Sequence, residues 1–388
     1  MPMNAWLYRP VLTIAVCVPL VLGANRLDWR LMNRASTYPA EPIMAVEWYT
    51  PRQAVPGQPD EPLPTRPAAE SAIDLAALES VSAYAEARNS TGLLVMHQGR
   101  IVWEEYWRGY GPEATFNAMS MTKTLMGMLI GIAIAEGHIA SIEEPVATYV
   151  PEWRTDARAN IAIADLLAMQ SGLRNEDQTD TLDSDLVQMF LGSDVTRVTL
   201  SIPSLHPPGE RFDYNNVNTQ ILGLVLANAT GMPVADYLST RLWRPLGAED
   251  GELWLDHPGG FPKTFCCFFA TARDWARVGQ LWLTDGKVSD REIVPSPWLA
   301  QMATPSPLEP TFGYHLWIKA RTADYPNVNT AATAPFLAED TLYLDGRGVQ
   351  RVYIIPSEDL VIVRMGEQPP NWDDAVIPNT LVQALRSP

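Results

Sequence analysis

Two stretches near opposite ends of the chain carry the pattern of paired strands. Leu93–Met96 and Ile101–Trp107 are apolar, β-prone runs about the turn His97-Gln98-Gly99-Arg100, which predicts a hairpin. Val349–Ile355 and Leu360–Met365, about Pro356-Ser357-Glu358-Asp359, predict a second. Between them the period becomes helical. A helix is expected to begin near Asn117, and from Leu125 through Ala135 it contains no charged residue. A helix apolar on every side belongs inside a protein. Further helices are expected over Ile163–Gln170, Asn218–Ala229 and Ala270–Leu283, and from Trp372 to Leu385 at the end of the chain. Strands at both ends with helices between them imply an α+β fold. One sheet is completed by the C-terminus, and a mostly helical region is inserted in the middle.

Upstream of this pattern, Val11–Ala24 is apolar apart from Thr13, Pro19 and Gly23, and lies between Arg9 and Arg26. Residues 1–24 are therefore expected to be an export signal. They become an uncleaved membrane anchor if Trp6, Leu7 and Tyr8 extend the run toward the roughly 20 apolar residues of a spanning helix. The expected location is the periplasm, free or tethered to the inner membrane. Eight prolines fall between Pro39 and Pro67. That density favours an extended, semi-rigid chain, so residues 25–70 are expected to form a linker, as a tether or a surface wrap. The folded domain, residues 71–388, is expected to start near Ser71.

Composition narrows the class. The chain has 388 residues, 47% hydrophobic and 19% charged, which supplies a large core and excludes disordered and fibrous classes. A net charge of −17 repels phosphate backbones and makes nucleic acid an unlikely partner. The five histidines are scattered without metal-ligand spacing, and neither a metal nor a cofactor is expected. Gly109-Tyr110-Gly111 is followed by Pro112 rather than a helix, so it is read as a loop and not a dinucleotide site. No G-x-S-x-G elbow occurs. Cys266 and Cys267 are adjacent, and a bridge between them is disfavoured because a disulfide wants its Cα atoms farther apart.

Only four of the 28 basic residues are lysines, so a motif that requires one has few chances to arise by accident. Ser120-Met121-Thr122-Lys123 is such a motif, S-x-x-K, at the start of the central apolar helix. Residues three apart share a helical face, which brings the amine within reach of the hydroxyl. With Asn117 as N-cap, Ser120 lies in the first turn, where backbone N–H groups can stabilise a developing oxyanion. Apolar surroundings favour the neutral amine, which can act as a base. A second element, Tyr214-Asn215-Asn216, places a phenol able to shuttle a proton and an amide able to hold a lysine in a loop before a helix. Tyr325-Pro326-Asn327 fits the same pattern. Gly313–Trp317 could line a pocket.

In this order the motifs resemble the serine β-lactamase and penicillin-recognising superfamily, and within it the class C-like esterases and the 6-aminohexanoate-dimer hydrolase type. The resemblance runs from about residue 85 to 366. It includes Asn117–Lys123, Gly131–Gly137, Leu166–Leu173 with its Ser171-Gly172-Leu173, Pro208–Asn216, Ala270–Arg277 and Gly346–Gln350. It implies a β-lactamase/DD-peptidase-like fold, with an antiparallel sheet of about five strands flanked by helices and a helical region whose junction with the sheet holds the site. It implies a small ester or amide substrate attacked by Ser120, with Lys123 and Tyr214 sharing the proton. The resemblance further implies that Asn216 holds Lys123 and substrate, and that the oxyanion sits between the Ser120 N–H and that of Gln350. The third motif of the superfamily, Lys-Thr-Gly or His-x-Gly, is matched by Arg347-Gly348-Val349, where Val349 replaces glycine; efficient β-lactam turnover is not expected. Lys263-Thr264-Phe265 lacks the glycine. Arg174-Asn175-Glu176-Asp177-Gln178 stands where the dimer-hydrolase type carries aromatic residues, so amide specificity of that kind is not expected either. The competing expectations are a catalytically idle relative that binds a cell-wall fragment or partner, and a D-alanyl peptidase.

Overall fold

The computed structural model describes residues 28–59, 61–176, 181–321 and 332–387. The expected signal or anchor at 1–24, Asp177-Gln178 and Tyr325-Pro326-Asn327 lie outside them. Among the described residues no single helix is long and apolar enough to cross a membrane.

The hairpins predicted at the two ends meet in one antiparallel sheet. The first is β2 (Ser90–His97) and β3 (Arg100–Tyr106); the second is β10 (Gln350–Ile355) and β11 (Leu360–Gly366). With β9 (Leu342–Gly346) they form a five-stranded sheet in the order β3-β2-β11-β10-β9. β2 and β11 at its centre are buried along their whole length, as strands covered on both faces must be. One face is covered by α2 (Leu75–Glu86) and α11 (Val376–Arg386), the other by α9 (Ala272–Leu283). The start of α9 explains part of the Ala270–Arg277 motif. Thr271 and Asp274 form a capping box, each side chain accepting the other's backbone N–H at 3.2 and 3.1 Å.

A second sheet was not legible in the sequence. It runs in the order β1-β5-β6-β4, from β1 (Arg52–Val55), β4 (Thr115–Asn117), β5 (Gly251–Trp254) and β6 (Phe268–Thr271). Its outer strand, β1, belongs to the segment expected to be a linker. The folded part therefore begins well before Ser71, and residues 28–59 are a wrap rather than a free tether. Helix α1 (Trp29–Ser36) anchors that wrap through Arg34. Its guanidinium is buried and donates to the carbonyls of Leu191, Gly192, Thr50 and Leu255 at 2.9–3.3 Å. Prolines suit the wrap because much of it makes no ladder that their missing N–H would break.

The helical region lies between β4 and β5 in the chain and contains the central helix α3 (Thr122–Ala135), α4 (Ile163–Leu167), α5 (Asp185–Leu191), α6 (Val195–Ser201), α7 (Asn216–Thr230) and α8 (Val234–Leu238). A short strand pair, β7 (Lys287–Val288) with β8 (Arg291–Glu292), precedes α10 (Ser296–Met302). The helix that was expected to start near Asn117 starts later. Asn117 ends β4, and its side chain accepts the Met119 N–H at 3.0 Å. A single 3-10 turn, Met119–Met121, then leads into α3. From Thr122 to Ala133 every residue of α3 is buried, as its uncharged pattern required. Gly131 permits the tight packing of α10, since a Cβ there would lie 2.0 Å from the Trp298 ring.

Cys266 and Cys267 correct the sequence expectation: they form a disulfide between neighbours with Cα atoms 3.7 Å apart. Cys267 adopts a left-handed φ of 71°, a tight backbone turn that accompanies the unusually close pairing.

Candidate active site

The 3-10 turn that carries Ser120 is fixed from both sides. Ala118 donates its N–H to the Phe268 carbonyl at 2.9 Å, and the Thr122 hydroxyl donates to the Met119 carbonyl at 2.8 Å while accepting the Phe268 N–H at 3.2 Å. Met119 is held at φ 49°, a left-handed conformation that a side chain adopts only when its surroundings impose it. Ser120 emerges half-buried at the top of this turn, just ahead of α3.

Lys123, in the first turn of α3, is 2% exposed, so its amine is directed inward. Its Nζ lies 2.8 Å from Ser120 Oγ, 2.7 Å from Asn216 Oδ1 and 2.6 Å from the Phe265 carbonyl oxygen. Two of these partners are acceptors only. A neutral amine can donate one N–H to each of them and keep its lone pair for the third direction, which faces the serine hydroxyl.

Tyr214 is buried beside them, with Lys123 Nζ 5.3 Å from its ring centroid. It stacks on Trp317 at 5.8 Å and meets Phe312 edge-on at 6.1 Å. The loop that carries Tyr214 and Asn216 is held by the Ser171-Gly172-Leu173 motif. Asn215 caps α7 by accepting the Val217 N–H at 3.0 Å and donates to the carbonyls of Leu173 and Arg174. Asn175 Nδ2 donates to the Tyr214 carbonyl at 3.0 Å. Gly172, with φ 72°, permits the close approach, since a Cβ there would lie 2.1 Å from the His206 carbonyl oxygen.

Ser120, Lys123 and Tyr214 line a narrow cleft together with Thr124, Phe312, His315, Trp317 and Asp345. The expectation that Gly313–Trp317 could line a pocket is met by His315 and Trp317. His315 is the buried floor. Its Nδ1 lies 3.0 Å from the Leu167 carbonyl, an acceptor only, so Nδ1 carries the proton and Nε2 accepts from the Thr219 hydroxyl at 2.9 Å. Burial, with the Lys123 charge second, holds its imidazole down at about 3. Because this folded value lies below the ordinary 6.5, the stability it provides is present above pH 6.5 and is lost as pH falls toward 3. Denaturant unfolding between pH 4 and 6.5 is expected to lose less stability per pH unit in His315→Gln than in the native chain, by up to about 1.4 kcal/mol. Equal slopes would remove His315 as the titrating group.

The third motif sits differently from its expected place. The cleft wall is β9, the edge strand. Tyr343 exchanges both backbone hydrogen bonds with Trp317, at 2.8 and 3.2 Å. Strand alternation then turns the backbone groups of Asp345 to the same open edge, while Leu344 and Gly346 face β10. Gly346 lets this wall approach the Ser120 turn, since a Cβ there would lie 2.3 Å from the Ala118 carbonyl oxygen. Gln350 lies one strand further back and pairs in register with Gly346. Its buried side chain donates to the Gly348 carbonyl and accepts the Gly366 N–H. Its N–H therefore points across the ladder and not into the cleft, which corrects the expected oxyanion donor. Arg347 is exposed on the β9–β10 turn. Gly348 packs under Ile43 of the N-terminal wrap, and Val349 is buried in the same turn at φ 62°. The triplet thus shapes the turn beyond the wall. Lys263 is buried far from Ser120 in sequence and function, donating to the carbonyls of Met189 and Gly192 at 2.6 and 3.3 Å.

A five-stranded antiparallel sheet beside a helical region, with the S-x-x-K amine and Tyr-x-Asn loop at their junction, finds its match in known proteins. Residues 80–386 match the β-lactamase family. The chain belongs to that family. Among its relatives is the 6-aminohexanoate-dimer hydrolase of Paenarthrobacter ureafaciens, 27% identical over 293 residues, which cover 71% of this chain and 72% of that protein. Among solved structures, a 6-aminohexanoate-dimer hydrolase-like protein of Bacillus anthracis superposes with a TM-score of 0.73 at 21% identity, over 88% of this chain and 92% of its own. A penicillin-binding protein of Bacillus halodurans gives a TM-score of 0.60 at 17% identity, over 79% and 99%. At such identities these two establish the shared fold of this β-lactamase family member.

The sequence alone missed two contributors to the site. The Phe265 carbonyl carries no residue-type signature, and Asp345 lies on a strand whose pattern was not recognised.

Proposed function

We propose that this chain is a serine hydrolase that cleaves a small ester or amide through an acyl-enzyme on Ser120. The observation that carries the reading is the Lys123 amine 2.8 Å from the Ser120 hydroxyl, buried, with acceptors occupying its other two directions. In this reading Lys123 takes the Ser120 proton as Oγ attacks the carbonyl, and Tyr214 shares in returning it to the leaving group. The negative oxygen that forms is held by the Ser120 N–H and by the open edge of β9 between Asp345 and Arg347. Asn216 fixes the amine and offers its amide to the substrate. Water then releases the acyl group. The hydrolase name of the Paenarthrobacter relative supports acyl transfer to water.

Labelling with a fluorophosphonate probe tests the assignment. Native protein and Ser201→Ala, an exposed serine at the end of α6, are expected to label, and Ser120→Ala to remain unlabelled. Labelling that persists in folded Ser120→Ala would place the nucleophile elsewhere.

A further inference from the structure

One peptide unit couples the Lys123 amine to a covalent bridge. The Phe265 carbonyl that accepts from Lys123 Nζ at 2.6 Å and the Cys266 N–H that donates to the Lys263 carbonyl at 3.2 Å belong to the same planar peptide. Turning that plane loses both bonds, so the amine keeps this contact only while the plane is held. Cys266, on which the plane pivots, is one half of the Cys266–Cys267 disulfide.

The surroundings of the bridge are fixed independently. Downstream, the Cys267 carbonyl accepts the Trp254 N–H of β5 at 3.1 Å, and Phe268 bonds Thr122 and Ala118 on either side of Ser120. Upstream, the Thr264 N–H and hydroxyl donate to Gln220 and Thr219 of α7 at 3.0 and 3.1 Å. Phe265, Cys266 and Cys267 lie between these anchors. Neighbouring cysteines joined through sulfur close a small ring that contains their own peptide bond, which removes free rotation between their Cα atoms. Cys267 sits in the ring at φ 71°, a conformation that an open-chain cysteine tends to leave. Because Cys267 and Phe268 are tied to β5 and the Ser120 turn, relaxation of an opened ring falls on Cys266 and turns the Phe265 carbonyl with it. Both cysteines are buried.

We infer that the Cys266–Cys267 disulfide positions the Lys123 base: closed, it holds the Phe265 carbonyl on the amine, and opened to two thiols it slows acylation of Ser120. The inference rests on the hydrolase reading above and makes that site responsive to thiol reductants. Opening is a two-electron step. A dithiol such as dithiothreitol supplies two electrons and two protons, its own sulfurs pair with each other, and the bridge becomes two thiols.

Thiol titration in urea comes first: reduction with dithiothreitol followed by desalting is expected to reveal the two thiols of the bridge, and an unchanged count overturns the inference. Cys266→Ala/Cys267→Ala removes the ring and keeps small apolar side chains. It is expected to lower kcat for a p-nitrophenyl ester by about 10- to 100-fold with KM little changed. The acid limb of its kcat/KM profile is expected to move to lower pH, because the ammonium form of Lys123 loses an acceptor. Should this variant fail to fold, Cys266→Ala/Cys267→Gly takes its place with the same outcome expected, since glycine adopts the left-handed φ without strain. Native protein reduced in urea, desalted and refolded is expected to show the same loss, and oxidised glutathione, which takes the two electrons back, to restore the rate. Native kinetics in a folded bridge-free variant, a loss confined to KM, or an unmoved acid limb overturns the inference and leaves the hydrolase intact. If the oxidised native protein neither labels at Ser120 nor turns over any ester, the hydrolase reading falls and the inference falls with it.

Discussion

Lys123→Met lowers kcat/KM for any ester substrate by about 10²- to 10⁴-fold while the protein stays folded, because methionine matches the length of lysine and carries no base. The amine is placed by three contacts of 2.6–2.8 Å from three separate stretches of chain, so no neighbouring group can take over its position. The methionine leaves the Asn216 and Phe265 oxygens without this donor, which costs about 1–3 kcal/mol. That loss is read separately by thermal unfolding and is subtracted from any loss of active protein. Lys123→Arg makes the test sharper. A guanidinium keeps the positive charge yet does not deprotonate in the working range, so it is expected to be as slow as methionine. Pre-steady-state kinetics with a p-nitrophenyl ester should show the loss in the acylation burst. An arginine variant within tenfold of the native rate would reassign Lys123 from base to fixed cation.

Arg351→Met is the change expected to cost the most stability, about 3–5 kcal/mol in urea unfolding at neutral pH. Arg351 has no exposed surface and lies between Asp345 and Asp374. Removing it leaves two buried carboxylates without their shared cation, although the Tyr353 hydroxyl and the Trp372 indole still donate to Asp374 at 2.8 and 3.1 Å. The pH dependence distinguishes lost charge pairing from lost packing. Asp345 is already raised above 3.8 by burial, and removal of Arg351 raises it further. A carboxyl whose folded value lies above its unfolded one stabilises fully below about pH 4, and that contribution disappears as pH rises through the folded value. The deficit of Arg351→Met is therefore expected to shrink between pH 8 and pH 5. A deficit of equal size at both would attribute the effect to packing alone.

Local chemistry was legible in the sequence where residue type and spacing acted together. Ser120 with Lys123, the Tyr214–Asn216 loop, both terminal hairpins and the apolar α3 fall where the pattern put them, within a turn. What escaped depended on long-range placement. β1 pairs with β5 across about 200 residues, and four residues among prolines give no periodic signal of that partner. β9 reads Leu-Tyr-Leu-Asp-Gly, too short to announce an edge strand, and its recognition would have moved the expected oxyanion donor off Gln350. The helix start was misplaced because Asn117 caps a 3-10 turn by the same side-chain bond that caps an α-helix. The disulfide escaped because ordinary Cα spacing excludes it, and only the left-handed Cys267 shows how the chain accommodates it.

The tripod around Lys123 ties together positions 93 and 142 residues away from it in the chain. A site assembled at such a junction exists only while α3, the start of α7 and the segment before β6 are all docked at once. Opening any one of them breaks the constellation even though most of the secondary structure survives. Turnover would then behave as a sensor of native-state integrity, fading under mild heating or low denaturant before circular dichroism registers a change.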